Sequence, residues 1–506
     1  MSNIEVSQAI LGLASYALGK ELIKPEDRMW AISGILGVLK LDSLDSSAAP
    51  AEQTLEKLLD IVLEDAARRG VIQNTTVNRD LLDTAVMGCL TPRPSEIAEE
   101  FAALYAKNPE SATDWFYRLC MDCNYIREYR LSKDVKWSHP SRYGKMEITI
   151  NLAKPEKDPM DIAAALSAPK TGYPSCQLCR ENEGYAGRLD YPARQNLRIV
   201  PVDILGQPWG FQYSPYVYYN EHCIVLNNIH TPMLINADCF RKLFDFLDKF
   251  PHYFIGSNAD LPIVGGSILS HEHFQGGRHE FPIERAEIKE ELTLPHHSEV
   301  TCGILSWPLA ALRLSGADNE ELASIADIIL ETWRGYDDPE AGILSETDGT
   351  PHNTVTPIAR RRGGLYEMDL VLRNNRTTGE HPLGLFHPHQ ELHHIKKENI
   401  GLIEVMGLAI LPPQLKKELQ ALGEAMVSGG NLHTPEISRH AVWAEEILTR
   451  RQVTSQNVDE VLHEEVGSVF VKCLEHAGVF GQDKKGETAF SRFTRALITR
   501  ISESKD

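Results

Sequence analysis

Residues 265–281 read GGSILSHEHFQGGRHEF, three histidines and a glutamine bracketed by paired glycines. His271, His273 and Gln275 are spaced two apart. In an extended chain such residues share one face, with Glu272 and Phe274 on the other. On a helix neighbouring members of the set would diverge by roughly 200°. The preceding run, 261–269, is apolar, rich in Ile and Val, and punctuated by Pro262 and the first glycine pair, so it reads as a strand leading into a site.

Working outward, the chain has 506 residues, too many for one ordinary core, and about three domains are expected. Hydrophobic residues make up 42% and charged residues 24%, as in a soluble globular protein. The first twenty residues break their apolar run with polar side chains and lack the form of a signal peptide. No stretch reaches 18 uninterrupted apolar residues, so no membrane span and a cytoplasmic location are expected. Nine scattered cysteines do not make a disulfide framework. A net charge of −20 argues against a nucleic-acid or anionic-membrane partner. It leaves room for small phosphorylated substrates, which need only local cations. Arg278 and the run Arg360, Arg361 and Arg362 are candidates, and a solvated basic face is the plainer reading of that run.

The periodicity divides the chain into four. Residues 1–138 carry apolar side chains at helical spacing. Residues 139–300 change period: Met146, Ile148, Ile150 and Leu152 alternate with polar neighbours, and HCIVLNN and PIVGGSIL read as strands around a helical CFRKLFDFLDKFPHYF. Residues 301–411 hold a second alternating block, YEMDLVLRNN, and GLIEVMGLAIL as a helix or a buried strand–helix junction. Residues 412–506 return to helical spacing. Proline and glycine concentrate between 155 and 215, where loops are expected. The class is mixed α/β (α+β).

Two constellations carry chemistry. Cys176 and Cys179 form a C-x-x-C that can grip a zinc ion, act as a redox pair, or mean nothing; polar loop residues and Gly184 after it disfavour a thioredoxin-type helix. Zinc needs two further ligands, and His222, His230 and His271 are available. Cys120 and Cys123 form a second C-x-x-C inside an amphipathic run, with no histidine nearby in sequence, and read as core. The H-x-H-x-Q suits nucleophilic catalysis at phosphorus. A neutral imidazole attacks if its other nitrogen donates to a fixed acceptor, and a same-face amide can donate to a phosphoryl oxygen as charge develops. Metal-binding or idle surface histidines would share that spacing.

GGSILSHEHFQGG, CQLC and HCIVLNNIHTPM, in the chain as they stand, resemble the galactose-1-phosphate uridylyltransferases of the histidine-triad superfamily. The H-E-H-F-Q signature is most similar to the bacterial type 2 branch, and the likeness covers the whole chain. The resemblance implies two histidine-triad-like mixed-sheet halves with helical additions, a homodimer, and a ping-pong exchange. In it UMP passes from UDP-glucose to a histidine and then to galactose 1-phosphate. It puts His273 at the nucleophile and Gln275 at the phosphoryl oxygens. Cys176, Cys179, His230 and His271 fall at structural zinc ligands. Gly266 and Ser267 fall in the phosphate-contacting loop, at a spacing one residue different, and Arg278 is added as a substrate-binding cation. A second metal bound by late-strand histidines in type 1 enzymes is not expected, because Asp369 and Val371 stand there. His387 and His389 form another H-x-H, read as a local cluster. The rival readings are a histidine-triad phosphorylase or hydrolase of dinucleoside polyphosphates and a non-catalytic zinc-stabilised nucleotide-binding protein.

Overall fold

The structure, a computed structural model, describes residues 2–153 and 171–503. Part of the loop-rich region expected at 155–215 therefore lies outside the described residues. The helical opening is as the periodicity requires. Its helices include Asn3–Gly19, Leu55–Arg68, Pro94–Tyr105 and Pro109–Asp122. Ser2 caps the first, exchanging hydrogen bonds with Glu5 in a capping box.

Among the described residues fifteen strands follow: β1 (Val135–Ser141), β2 (Gly144–Ile150), β3 (Val200–Ile204), β4 (Gln207–Tyr213), β5 (Cys223–Asn227), β6 (Phe254–Gly256), β7 (His273–Gly277), β8 (Ile288–Leu292), β9 (Thr301–Leu305), β10 (Ala311–Gly316), β11 (Glu346–Thr347), β12 (Thr350–Pro351), β13 (Asn353–Arg362), β14 (Leu365–Asn374) and β15 (Leu408–Leu411). Ten of them make one sheet in the order β3-β4-β5-β7-β6-β13-β14-β10-β9-β8. Its neighbours pair antiparallel throughout. Each half repeats one plan. Three strands run in order, a helix crosses over (Ala237–Lys249 in one half, Asn319–Arg334 in the other), and a fourth and fifth strand return with the fifth inside. The fourth strands, β6 and β13, meet and join the halves. In this plan β7 and β14 are counterparts. A three-stranded sheet is β1-β2-β15, with β15 parallel to β2, and β11 and β12 pair by themselves.

The large sheet is covered on both sides. Phe211, Val225, Phe274, Leu312 and Met368 belong to a core shared with the N-terminal helices and both crossover helices. Ala311, Ile358 and Val371 belong to a second core, built with β2, β15 and the C-terminal helices Gln414–Ser428 and Val458–Ala477. Burial on two faces explains why the alternation in β14 is of side-chain chemistry but not of exposure; Tyr366 to Asn374 are all buried.

One expectation fails. The stretch 261–269, read as a strand, is a loop with an isolated bridge between Ala259 and Gly265. Ile263 adopts φ +73°, which a β-branched residue can take only where the surroundings force it. The strand begins instead at His273, and GLIEVMGLAIL resolves into the helix Leu402–Val405 and β15.

Candidate active site and metal-ligand group

β7 lies between β5 and β6, with His273 opposite Leu226 and Gln275 opposite both Ile224 and Gly256. Gly276 is needed there, because a Cβ at that position would lie 2.6 Å from the Phe254 carbonyl oxygen. Phe274 points to the crossover helix and stacks on Trp209 at 5.1 Å. His273 and Gln275 take the other face, the face of Ile358 and Val371 by the pairing of β6, β13 and β14.

His273 is buried, and its Nδ1 lies 2.7 Å from the His271 carbonyl oxygen. A carbonyl can only accept, so Nδ1 carries the hydrogen and Nε2 carries the lone pair. Burial pushes the ring's pKa down to about 4, which keeps that lone pair free at neutral pH. The Oε1 of Gln275 is 3.1 Å from His222 Nε2, which turns the NH2 of the amide away from His222.

Directly before β7 stands the metal-ligand group. Cys176 Sγ lies 3.4 Å from Cys179 Sγ and 3.2 Å from His271 Nδ1. Cys179 Sγ lies 3.0 Å from His230 Nδ1 and 3.6 Å from His271 Nδ1. All four donor atoms fall within 4.8 Å of one another. A tetrahedron with metal–sulfur bonds of about 2.3 Å and metal–nitrogen bonds of about 2.0 Å has donor–donor edges of roughly 3.5 Å, so the set fits a divalent cation. Burial raises the Cys176 thiol, but hydrogen bonds from His271, the Leu178 N–H and Cys179 outweigh it and hold the pKa below the ordinary thiol range. Cys179 is pushed up to about 12, by burial and then by Cys176. Two adjacent thiolates need a cation between them, and this donor set supplies the place for one.

The ring of His271 is held from behind. Its Nε2 lies 2.7 Å from the Asn227 carbonyl oxygen, which leaves Nδ1 as the ligand nitrogen. The Asn227 side chain donates to Glu272 at 2.8 Å, and Glu272 pairs with Lys242 at 2.5 Å. The glutamate between the two histidines thus ties the motif to the crossover helix.

Several candidates lie elsewhere. His222 stands at Gln275, away from the cysteines, so the ligand histidines are His230 and His271. Gly266 packs against Asn258, and Ser267 is exposed in the loop. Arg278, just past β7, pairs with Asp114 at 2.7 Å, Glu221 at 3.2 Å and Glu110 at 3.4 Å. Arg360 is buried against Asp369, Glu367 and Glu284, Arg362 reaches the same glutamates, and Arg361 stacks on Tyr366. The arginine run is therefore neutralised. Cys120 and Cys123 are core residues. His389 approaches Glu391 and His476, but His476 Nδ1 accepts the His389 backbone N–H at 3.3 Å. Sequence reasoning missed His222 as the partner of Gln275, and Asn227 and Lys242 as the support of His271. The register of β5 on β7 reveals the first two, and the packing of the crossover helix on the sheet reveals Lys242.

A duplicated antiparallel α/β plan carries a neutral buried imidazole two residues past a Cys2His2 group, a site of the nucleophile-plus-metal-ligand class. Residues 50–232 match the model of the galactose-1-phosphate uridyl transferase N-terminal domain, and residues 246–443 that of its C-terminal domain. Galactose-1-phosphate uridylyltransferase of Bacillus subtilis is 50% identical, over 98% of both chains. That of Clostridium acetobutylicum is 46% identical over 97% of this chain and 100% of its own, and that of Caldanaerobacter subterraneus 48% over 95% and 96%. The chain belongs to the galactose-1-phosphate uridylyltransferase family.

Proposed function

We propose that this protein transfers UMP from UDP-glucose to galactose 1-phosphate through a uridylyl-histidine at His273. The observation that supports it best is the His273 ring itself, neutral by burial, with Nδ1–H on the His271 carbonyl and the Nε2 lone pair free. Nε2 attacks the α-phosphorus of UDP-glucose, the phosphorus–oxygen bond breaks, and its electron pair leaves on glucose 1-phosphate. A phosphate oxygen of galactose 1-phosphate then attacks the same phosphorus, and the phosphorus–nitrogen electrons return to Nε2. The NH2 of Gln275 donates to a non-bridging oxygen as charge builds. Gly266, Ser267 and Arg278 are assigned to substrate phosphates. For Arg278 this means exchanging a carboxylate partner for a phosphate.

Cys176, Cys179, His230 and His271 would hold a structural zinc ion, whose chemistry is to keep both thiolates and the His271 ring in place. The reading also takes the protein as a cytoplasmic homodimer, with the four segments 1–138, 139–300, 301–411 and 412–506 as its domains; the repeated strand plan supports two central halves but groups β8 with the second, which favours a boundary between β7 and β8 over one at 300.

Incubation with UDP-glucose, denaturation and peptide mass analysis should find one acid-labile UMP on His273. His273→Gly should abolish both adduct and exchange while leaving the thermal transition in place. Near-normal exchange in that variant rules out the nucleophile. An adduct that discharges to phosphate or water but never to galactose 1-phosphate moves the protein to the phosphorylases or hydrolases.

A further inference from the structure

We infer that His222 is a positioning residue that locks the Gln275 amide with its NH2 turned toward the transferred phosphoryl group. The inference deepens the proposed reaction and rests on that reading. An amide has two nearly isosteric orientations. Only one aims N–H groups at the phosphoryl oxygens; the other aims a carbonyl lone pair at an anion. Something must choose between them, and His222 is the side chain in contact with the far end of the amide, at 3.1 Å.

Three observations support the assignment. First, the register of β5 on β7 puts Ile224 opposite Gln275 and Leu226 opposite His273, so His222, two residues before Ile224, continues the same face. Second, the ring is fully buried, between Tyr218 at 5.5 Å and Tyr219 at 4.5 Å, and Tyr219 donates to the Gly276 carbonyl, so ring and strand are strapped together. Burial pushes the His222 pKa down to about 4, so at neutral pH it offers one N–H only. Third, His222 Nδ1 is buried with no hydrogen-bond partner among the described residues. With the hydrogen on Nε2, the orphan is a lone pair and Gln275 Oε1 is the acceptor. With it on Nδ1, the orphan is an N–H, the rarer and costlier kind. The ring therefore donates to Oε1. A buried nitrogen left without a partner costs stability, which a residue kept only for packing need not do.

The test is single-turnover formation of the uridylyl adduct from UDP-glucose by the full-length protein. His222→Met removes the donor at similar size, and His222→Gln returns an N–H near the Nε2 position. Loss of one correctly aimed donor of this kind lowers the chemical step about 10²-fold. We expect a fall of that order for His222→Met with UDP-glucose affinity nearly unchanged, recovery of at least about tenfold in His222→Gln, and a melting temperature no lower than wild type in His222→Met. In a Gln275→Ala background, His222→Met should have almost no further effect, since it acts through that amide. A wild-type rate in folded His222→Met, or losses that multiply in the double variant, overturns the inference and leaves the His273 chemistry standing. If His222→Met fails to fold, His222→Gln decides, because a rate about 10²-fold below wild type in that variant also overturns it. Absence of any adduct in the wild type removes the proposed function and this inference together.

Discussion

His271 and His273 sit two residues apart and do opposite things with their rings. One turns its Nδ1 lone pair to sulfur and the other hides its Nδ1 hydrogen on a carbonyl, and backbone oxygens set both choices. The spacing made the pair and Gln275 legible in the sequence, and the family resemblance divided their labour; the physical cause of that division, the Asn227 carbonyl and the cysteines, lies far along the chain. Asp369 shows the converse. It stands on β14, the counterpart of β7, yet it is wholly buried between Arg313 at 2.6 Å and Arg360 at 2.8 Å. Burial raises its pKa, and the two guanidiniums outweigh that and hold it low. Nothing near it in sequence announces those partners. Asp369→Asn should cost about 3 kcal/mol, the low end for a broken buried pair, because Arg313 and Arg360 lose one of the two carboxylates they share and keep Glu367. Urea unfolding with an unchanged midpoint would contradict this.

At the scale of elements, alternation and helical spacing located β5, β14 and the crossover helix Ala237–Lys249. They missed the loop before β7. Ile and Val are strand formers, and the run that holds them becomes a loop because Ile263 turns left-handed and Gly265 and Gly266 come against backbone and side chain too closely for a Cβ. The crossover helix does more than cover the sheet, since its Lys242 neutralises Glu272, which fixes the Asn227 amide behind His271. At the proposed zinc site, Glu272→Ala should weaken binding of added zinc about tenfold in a competitive chelator titration, and Cys176→Ser should abolish it. Equal affinity in wild type and Glu272→Ala would show that His271 needs no such support.

For the molecule as a whole, the mixed α/β class and the helical ends were readable from period alone. The repeated plan was not, because strand order depends on pairings across the crossover helices, β5 with β7 and β10 with β14, and on the β6–β13 junction between halves, whose partners lie about a hundred residues apart. Burial on this scale sets a pH dependence. His222 and His252 are pushed down to about 4 and His394 to about 3, in each case mainly by desolvation. Unfolded, each titrates near 6.5. Their folded-state pKa values are depressed, so the stability tied to them is complete above about pH 6.5 and is lost as pH falls toward 4. Fully buried His222 alone contributes a slope of up to ~1.4 kcal/mol per pH unit across that window. The melting temperature should therefore fall steadily from pH 6.5 to 4.5; a flat profile would mean these rings are solvated.

Among the described residues the strands of the two halves pair with each other only where β6, three residues long, lies against β13. A protease nick or a gene split between β7 and β8 would leave each fragment with a raw, unpaired edge at this seam. Co-expressed pieces should reassociate through it, whereas either piece made by itself should recruit any other exposed strand and precipitate.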